Sequence, residues 1–209
     1  MKTNQNCSNP ICNGKFTRRL FITKSILPTI GVALSSKLVL AGSSKSLYDK
    51  KQEDEIITEL NKLVDKYFPI FETCSQTSYY ALNEVFDLNS EDFVKSLASM
   101  PGIALRGETC GAVIGSLLAI AMVYEEDIFD PERKKLSREP SYEFCSQFEN
   151  TYNSTRCRDV IEKVTGKKYT LNKPEDYPLL GPEGVYYHCP AIIKEAVYIA
   201  ARIILKKTG

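Results

Sequence analysis

Cysteine is the residue type in this sequence that offers the most chemistry. The 209 residues include seven cysteines, a single histidine (His188) and no tryptophan. No two cysteines form a CxxC pair, so the spacing excludes a thioredoxin-type dithiol, a zinc ribbon and a ferredoxin cluster motif. The sequence also lacks CxxCH, which excludes covalent c-type haem. One histidine is too few for a three-histidine zinc site or a two-histidine iron site, so any chemistry is expected to depend on sulfur.

Four cysteines occur at points where the sequence predicts that a helix begins. Cys74, Cys110, Cys157 and Cys189 each follow a loop and precede a helical pattern. A thiol at a helix N-terminus faces unpaired backbone N–H groups and the positive end of the helix dipole, which favours the thiolate that binds metals or attacks disulfides. Cys145 instead lies inside a helical pattern, and we interpret it as a buried core residue away from the other four. His188, beside Cys189, is interpreted as a solvent-facing residue at the end of a loop, with a ligand or proton-donor role as the alternative.

Small residues surround Cys110. Gly107, Gly111 and Gly115, together with Ala112, lie within a ten-residue segment centred on this thiol. Glycine lets a backbone come close to a bulky ligand or to another helix. Gly111 and Gly115 are therefore candidate cofactor-binding residues, with tight helix packing as the equally good alternative.

The elements that must position these cysteines are predicted to be helices. Apolar residues recur at helical spacing along most of the chain, and no alternating strand pattern with hairpin turns is present. The predicted helices cover about 56–67 (ending before Pro69), 74–87, 90–97 (capped by Asn89 and Ser90), 110–124, 142–152, 157–165 and 190–207. The segment 110–124 is apolar nearly all round, so we expect it at the centre of the bundle. The fold class is predicted to be all-α, a compact bundle of about six to seven helices.

The first 41 residues have the pattern of an export signal. They contain six basic residues and no acidic one, which leaves 21 basic and 26 acidic residues, a formal charge of −5, in 42–209. The octapeptide Thr17–Lys24, with Arg18 and Arg19, resembles a twin-arginine signal, and a broken apolar run follows it before Ala41. We therefore expect the export machinery of that pathway as a partner and a location in the periplasm or outside the cell. Cys7 and Cys12 lie within this segment and are assigned no role.

The cysteine pattern resembles the redox-active protein family named C_GCAxxG_C_C. The resemblance depends on Cys74-Ser75-Gln76, on Gly107 to Gly115 around Cys110, on Asn153 to Cys157 and on Cys189 before the terminal helix, and it covers roughly residues 70–207. It implies a helical protein that binds an iron–sulfur cluster or another redox centre. The family is related to split-Soret cytochromes, but without CxxCH this chain should lack their haem. Cys145 and the long loop 167–188 depart from the pattern.

These observations divide the chain into three regions and leave three possible functions for the four cysteines. Residues 1–41 are the signal, 42–69 a linker (42–46) and an N-terminal helix, and 70–209 the four-cysteine redox domain. The leading hypothesis is an iron–sulfur cluster on Cys74, Cys110, Cys157 and Cys189, with a tetrahedral zinc as an alternative metal. Two disulfides that staple a structural domain, or thiol–disulfide exchange, are the other readings. A formal charge of only +1 argues against a nucleic-acid partner, while the redox partner and any enzymatic activity are left unassigned and the apolar helices leave room for a homodimer.

Overall fold

The computed structural model describes residues 41–88, 91–125, 129, 136–169, 181 and 184–208. Nearly all of the predicted signal, the proposed cap at 89–90 and most of the loop 167–188 lie outside these residues.

Seven α-helices make up the described part of the chain. They are α1 (Ala41–Phe71), α2 (Cys74–Phe86), α3 (Glu91–Ser96), α4 (Gly111–Tyr124), α5 (Arg138–Tyr152), α6 (Cys157–Thr165) and α7 (Val185–Thr208), with a 3-10 turn at Leu97–Ser99 after α3. The described residues contain no strand, only an isolated antiparallel bridge between Thr109 and Arg156. The prediction of an all-α bundle is confirmed.

Helices α2, α4 and α7 form the centre of the bundle. The contact between α2 and α4 is the most extensive one, and α7 packs against both of them and against α1. Helix α4, which is apolar on almost every side, packs against α2, α5 and α7, as expected for a helix of this pattern. None of the described helices combines the length and the apolar character that a membrane crossing needs.

Helix α1 is longer at both ends than the sequence predicts. It begins at Ala41, so residues 42–46, which we assigned to a linker, are helical. It also continues through Pro69 to Phe71. Proline removes one backbone hydrogen-bond donor, but aromatic contacts stabilise the last turn of the helix. The ring centroid of Phe71 lies 5.7 Å from that of Tyr67 and 5.4 Å from that of Tyr80.

Helix α7 begins at Val185, five residues before the predicted start at Pro190. We placed the start at proline because proline favours the first turn of a helix. Here Pro190 lies in the second turn, where it loses one backbone hydrogen bond while the buried apolar face continues on both sides of it. Cys189 therefore lies inside a helix, and the prediction that it starts one is wrong.

Candidate functional site

The first pair of cysteines is brought together by the packing of α2 on α4. Cys74 is the first residue of α2, and Cys110 immediately precedes α4. The two thiols interact with each other, and this hydrogen-bonding interaction shifts their pKa values in opposite directions. Both side chains are buried, with 8% and 4% of their surface exposed.

Cys110 is the thiol that the site favours as a thiolate. The hydrogen-bonding interaction with Cys74 lowers the pKa of Cys110, against the opposing effect of burial, and the backbone N–H groups of Ala112 and Val113 lower this pKa further. These N–H groups belong to the first turn of α4, as the helix-start argument predicts. The same contact raises the pKa of Cys74 well above its usual range, with burial and the charge of Cys110 acting in the same direction.

The remaining two cysteines do not follow the helix-start argument. Cys157 is the first residue of α6, yet burial raises its pKa to about 12, the charge of Cys110 adds to this, and Arg158 opposes it. Cys189 lies within α7, where its thiol donates to the Val185 carbonyl over 3.5 Å, and burial raises its pKa well above the usual range. At both positions, the loss of hydration therefore raises the thiol pKa more than the helix dipole lowers it. Negative charge on Cys110 acts on both thiols, so the four cysteines form one electrostatic group, called here the thiol cluster.

Two cysteine-bearing segments are held together by backbone hydrogen bonds. The Cys110 N–H donates to the Thr155 carbonyl at 2.8 Å, and the Cys157 N–H donates to the Glu108 carbonyl at 2.6 Å. These bonds flank the bridge between Thr109 and Arg156. Segment 107–110 is thereby fixed in register with segment 155–158.

Glu108 reinforces this junction with its side chain. Its carboxylate contacts Arg158 at 2.7 Å and Arg156 at 3.4 Å. Arg158 also donates to the carbonyl oxygens of Gly107 and Arg106. The three side chains are 44–51% exposed, so the ion pairs add little stability but define the surface beside Cys157.

A left-handed turn closes the site over Cys157. Four consecutive residues, Gly102 to Leu105, have φ angles between 48° and 61°. Three of them carry a Cβ, and the left-handed conformation costs such residues roughly 1–2 kcal/mol each. A Cβ added at Gly102 would lie 3.5 Å from the Cys157 sulfur, so the turn passes directly against this thiol.

Gly111 and Gly115 serve the close approach of α2 to α4. A Cβ on Gly111 would lie 2.5 Å from the Cys74 sulfur, and one on Gly115 would collide with Ser78 Oγ and the Ser75 carbonyl oxygen. The interpretation as tight helix packing is therefore confirmed for both. Gly111 touches a site thiol as well, so one glycine serves the packing and the site together.

Two tyrosines at the site were missed from the sequence. Tyr186 is half-buried in the first turn of α7, and its pKa is raised to about 12 by burial and then by the charges of Cys189 and Cys74. Tyr152, at the end of α5, has its pKa raised to about 12 by burial, by Glu195 and by Cys110. Tyr186 and Cys189 are three residues apart, which places them on one helix face. The sequence could have indicated Tyr186 in this way only if the start of α7 had been predicted correctly.

Cys145 lies apart from the thiol cluster, as predicted. Burial raises its pKa and Glu149 raises it further, with no contribution from another cysteine. It is half-buried rather than fully buried. His188 is also half-buried, and its ring stands edge-on to Tyr187 at 5.2 Å between centroids.

All five described cysteines, Cys74, Cys110, Cys145, Cys157 and Cys189, are free thiols. Within the described ranges, no group of three or more His, Cys, Asp or Glu side chains is placed to hold a single metal ion. The fold and the site together thus define an all-α protein with a buried group of interacting thiols.

The chain matches the model of the family described as "Putative redox-active protein (C_GCAxxG_C_C)" over residues 72–203. It belongs to this family, because the match covers more than half of its length. A comparison with curated proteins and one with solved structures each found no match.

Proposed function

We propose that the thiol cluster is the redox centre of this protein and that its four cysteines hold an iron–sulfur cluster. The observation that carries the proposal is that the packing of α2 on α4 and the bonds between segments 107–110 and 155–158 bring Cys74, Cys110 and Cys157 into one region. Cys189 joins them through the effect of Cys110 and Cys157 on its pKa. The family assignment, which covers residues 72–203, supports a redox role. When bound, such a cluster would supply reversible one-electron transfer.

The donor set suits a cluster better than a single ion. In an iron–sulfur cluster each iron takes only one or two protein thiolates, so no three side chains need to share one metal. A structural zinc requires four ligands around one ion, and no described group of three is placed for that. Cys110, the thiol with a lowered pKa, would be the first to supply a thiolate, and the N–H groups of Ala112 and Val113 would stabilise its charge.

Thiol–disulfide exchange is the second candidate, favoured by the Cys74–Cys110 pair. A thiolate beside a protonated thiol is the arrangement of an attacking and a resolving cysteine. Cys110 would form a mixed disulfide with the substrate, and Cys74 would then displace the reduced substrate and leave a Cys74–Cys110 disulfide. The 4% exposure of Cys110 weighs against this candidate, since a protein disulfide must reach the attacking sulfur.

Anaerobic purification followed by metal analysis tests the proposal. We expect iron and acid-labile sulfide in comparable amounts, little zinc, and a visible absorption band that is lost in Cys110→Ser. Cys145→Ser is the matched control and should keep both iron and colour. Zinc in place of iron would contradict the proposal, and so would equal iron in the two variants. A metal-free protein that reduces a small disulfide only while Cys74 is present would establish the second candidate instead.

The same proposal includes export through the twin-arginine pathway to the periplasm or the cell exterior. It is supported by the octapeptide around Arg18 and Arg19 and by the small residue Ala41 after the apolar run. That pathway carries folded proteins, which suits a redox centre assembled before export.

A further inference from the structure

One patch of surface beside the thiol cluster differs in charge from the rest of the domain. Arg156 and Arg158 pair with Glu108, and the carbonyl of the exposed residue Arg106 accepts a hydrogen bond from Arg158. These four residues, called here the arginine face, have a net charge of +2. Asp159 lies next to it in sequence and accepts a hydrogen bond from Ser154 at 2.8 Å. Even with Asp159 included, the arginine face stays positive, whereas residues 42–209 together carry −5.

The arginine face adjoins the most accessible thiol of the cluster. Cys157 is half-buried, while Cys74, Cys110 and Cys189 are buried. It lies between Arg156 and Arg158 in sequence, and its N–H donates to the Glu108 carbonyl. The most exposed thiol of the thiol cluster therefore belongs to the same segment as two of the three arginines.

An exposed apolar residue adjoins the arginines. Ile103, in the left-handed turn, has 40% of its surface exposed. This turn is tied to the arginine face because the Glu108 N–H donates to the Gly102 carbonyl at 3.0 Å. An apolar contact beside charged groups resembles the layout of protein–protein interfaces, in which a less polar centre has a polar rim.

We propose that the arginine face is the docking surface for an acidic electron-carrier protein. The reduced carrier would be oxidised as it passes one electron past Cys157 to the iron–sulfur cluster that the four cysteines would hold, which is reduced. The inference rests on the proposed redox function and names the kind of partner. Complementary charge steers such partners together and speeds their association. Redox encounters use small interfaces, which is compatible with a patch of this kind.

A small anion and a membrane fit these residues less well. Arg156 and Arg158 are already paired with Glu108 and half exposed, so they do not form an enclosed anion pocket. Binding to an anionic membrane by charge needs about four to eight clustered basic residues, and the arginine face has three.

The test measures binding of the full chain to a plant-type [2Fe–2S] ferredoxin, a small acidic electron carrier, used as the probe. Arg106 is the residue to change, because its side chain is exposed and Glu108 pairs with the other two arginines. We expect binding at about 10 mM salt that disappears near 1 M salt, where the Debye length is roughly 3 Å. Arg106→Glu should weaken binding about tenfold, and Arg106→Lys should keep it.

Arg138→Glu is the matched control for charge. Arg138 is exposed and lies at the first residue of α5, about 20 Å along the helix from the end that leads to Cys157. Equal weakening by Arg138→Glu, or no salt-sensitive binding by the unaltered protein, would overturn the inference. Binding of hexacyanoferrate(II) with the same dependence on Arg106, but none of ferredoxin, would also overturn it in favour of a small-anion site.

Binding and iron content separate the two proposals. Iron-containing protein that does not bind the probe removes only the docking inference. Iron-free protein that still binds through Arg106 removes the proposed cluster and leaves the arginine face as a docking surface. Folding of each variant is checked by its circular dichroism, and the Arg106→Lys variant provides the folded reference for this position.

Discussion

At the scale of single residues, the environment of each thiol decides its chemistry more than its place at a helix start. Cys110 and Cys157 both stand at the beginning of a helix, yet their pKa values move in opposite directions. Cys110 has a hydrogen-bonding interaction with Cys74 and faces two free backbone N–H groups. Cys157 lacks these donors, so loss of hydration controls it.

A thiolate titration should separate Cys110 from the other cluster thiols. In reduced, metal-free protein in which Cys7 and Cys12 are changed to serine, we expect one thiolate to form below pH 9, because Cys110 is the only described cysteine with a lowered pKa. The thiols of Cys157 and Cys189 should stay protonated above pH 9, because burial disfavours their charged forms. The measurement is the absorbance of the thiolate near 240 nm as the pH rises.

Two variants control this titration. Cys110→Ser should remove the step below pH 9, whereas Cys145→Ser should leave it unchanged, because the pKa of Cys145 is raised. A low-pH step that persists in Cys110→Ser would show that another thiol carries the charge.

The sequence predicted the residues of the candidate site better than their roles. Spacing picked out Cys74, Cys110 and Cys157 and set Cys145 apart, because loop-to-helix boundaries are visible as changes of period. Cys189 was picked out at a boundary that lies at Val185 in the structure. It could not rank the four thiols, since the pKa of each depends on hydrogen bonds and burial formed by distant segments. Tyr152 and Tyr186 were missed for the same reason. That all four sulfurs bind one centre stays a prediction.

At the scale of elements, the crossing of α2 and α4 is set by Gly115. A Cβ there would collide with Ser78 and Ser75 and lie 2.9 Å from the Tyr79 nitrogen. Because two of these three contacts are with backbone atoms, the helices themselves would have to separate. We expect Gly115→Ala to lower the free energy of unfolding by about 3 kcal/mol, measured by urea denaturation.

Gly166→Ala is the comparison for Gly115. Gly166 has φ +69° and no neighbouring atom within 4 Å, so alanine there meets strain but no collision. We expect a loss of only about 1 kcal/mol. An equal or larger loss at Gly166 would mean that the α2–α4 contact adapts to the added methyl group.

The left-handed turn gives a second prediction for an element. Ala104 has φ 54° and ψ 40°, a conformation that glycine adopts without strain. Ala104→Gly should therefore keep or raise the free energy of unfolding, by up to about 1 kcal/mol. Ala191→Gly, at an exposed position inside α7, should lower it by about 1 kcal/mol. Loss of stability in Ala104→Gly as large as in Ala191→Gly would contradict the assigned strain.

Helix periodicity predicted the number of elements and most of their positions, but only some of their ends. Helix α6 was predicted at its observed bounds, and α4 within one residue. Both proline boundaries were wrong because apolar packing around Pro69 and Pro190 outweighs the loss of one hydrogen bond. The left-handed turn was not predicted, since Ile103, Ala104 and Leu105 rarely adopt it and tertiary contacts impose it.

At the scale of the whole molecule, the export signal is testable independently of the site. Changing both Arg18 and Arg19 to lysine keeps the charge of the segment and removes the twin-arginine pair. We expect this variant to accumulate in the cytoplasm at its full length, because the export pathway recognises the two arginine side chains and not only their charge. Cell fractionation and the mass of the protein provide the measurement.

Lys15→Arg is the control for export. It preserves charge outside the pair and should leave localisation unchanged. Export of the double-lysine variant at the normal level would mean that residues 1–41 are read by another route, or that the segment is not a signal.

The bridge between Thr109 and Arg156 also has a consequence for the order of folding. It joins segments that are far apart in the sequence, and closing such a loop costs entropy before the contact returns any stability. Helices α4 and α5 are local and can form first, whereas the meeting of Cys110 with Cys157 must wait until the chain has folded back on itself. The arrival of Cys157 beside Cys110 would therefore report that this loop has closed, after α4 and α5 have formed.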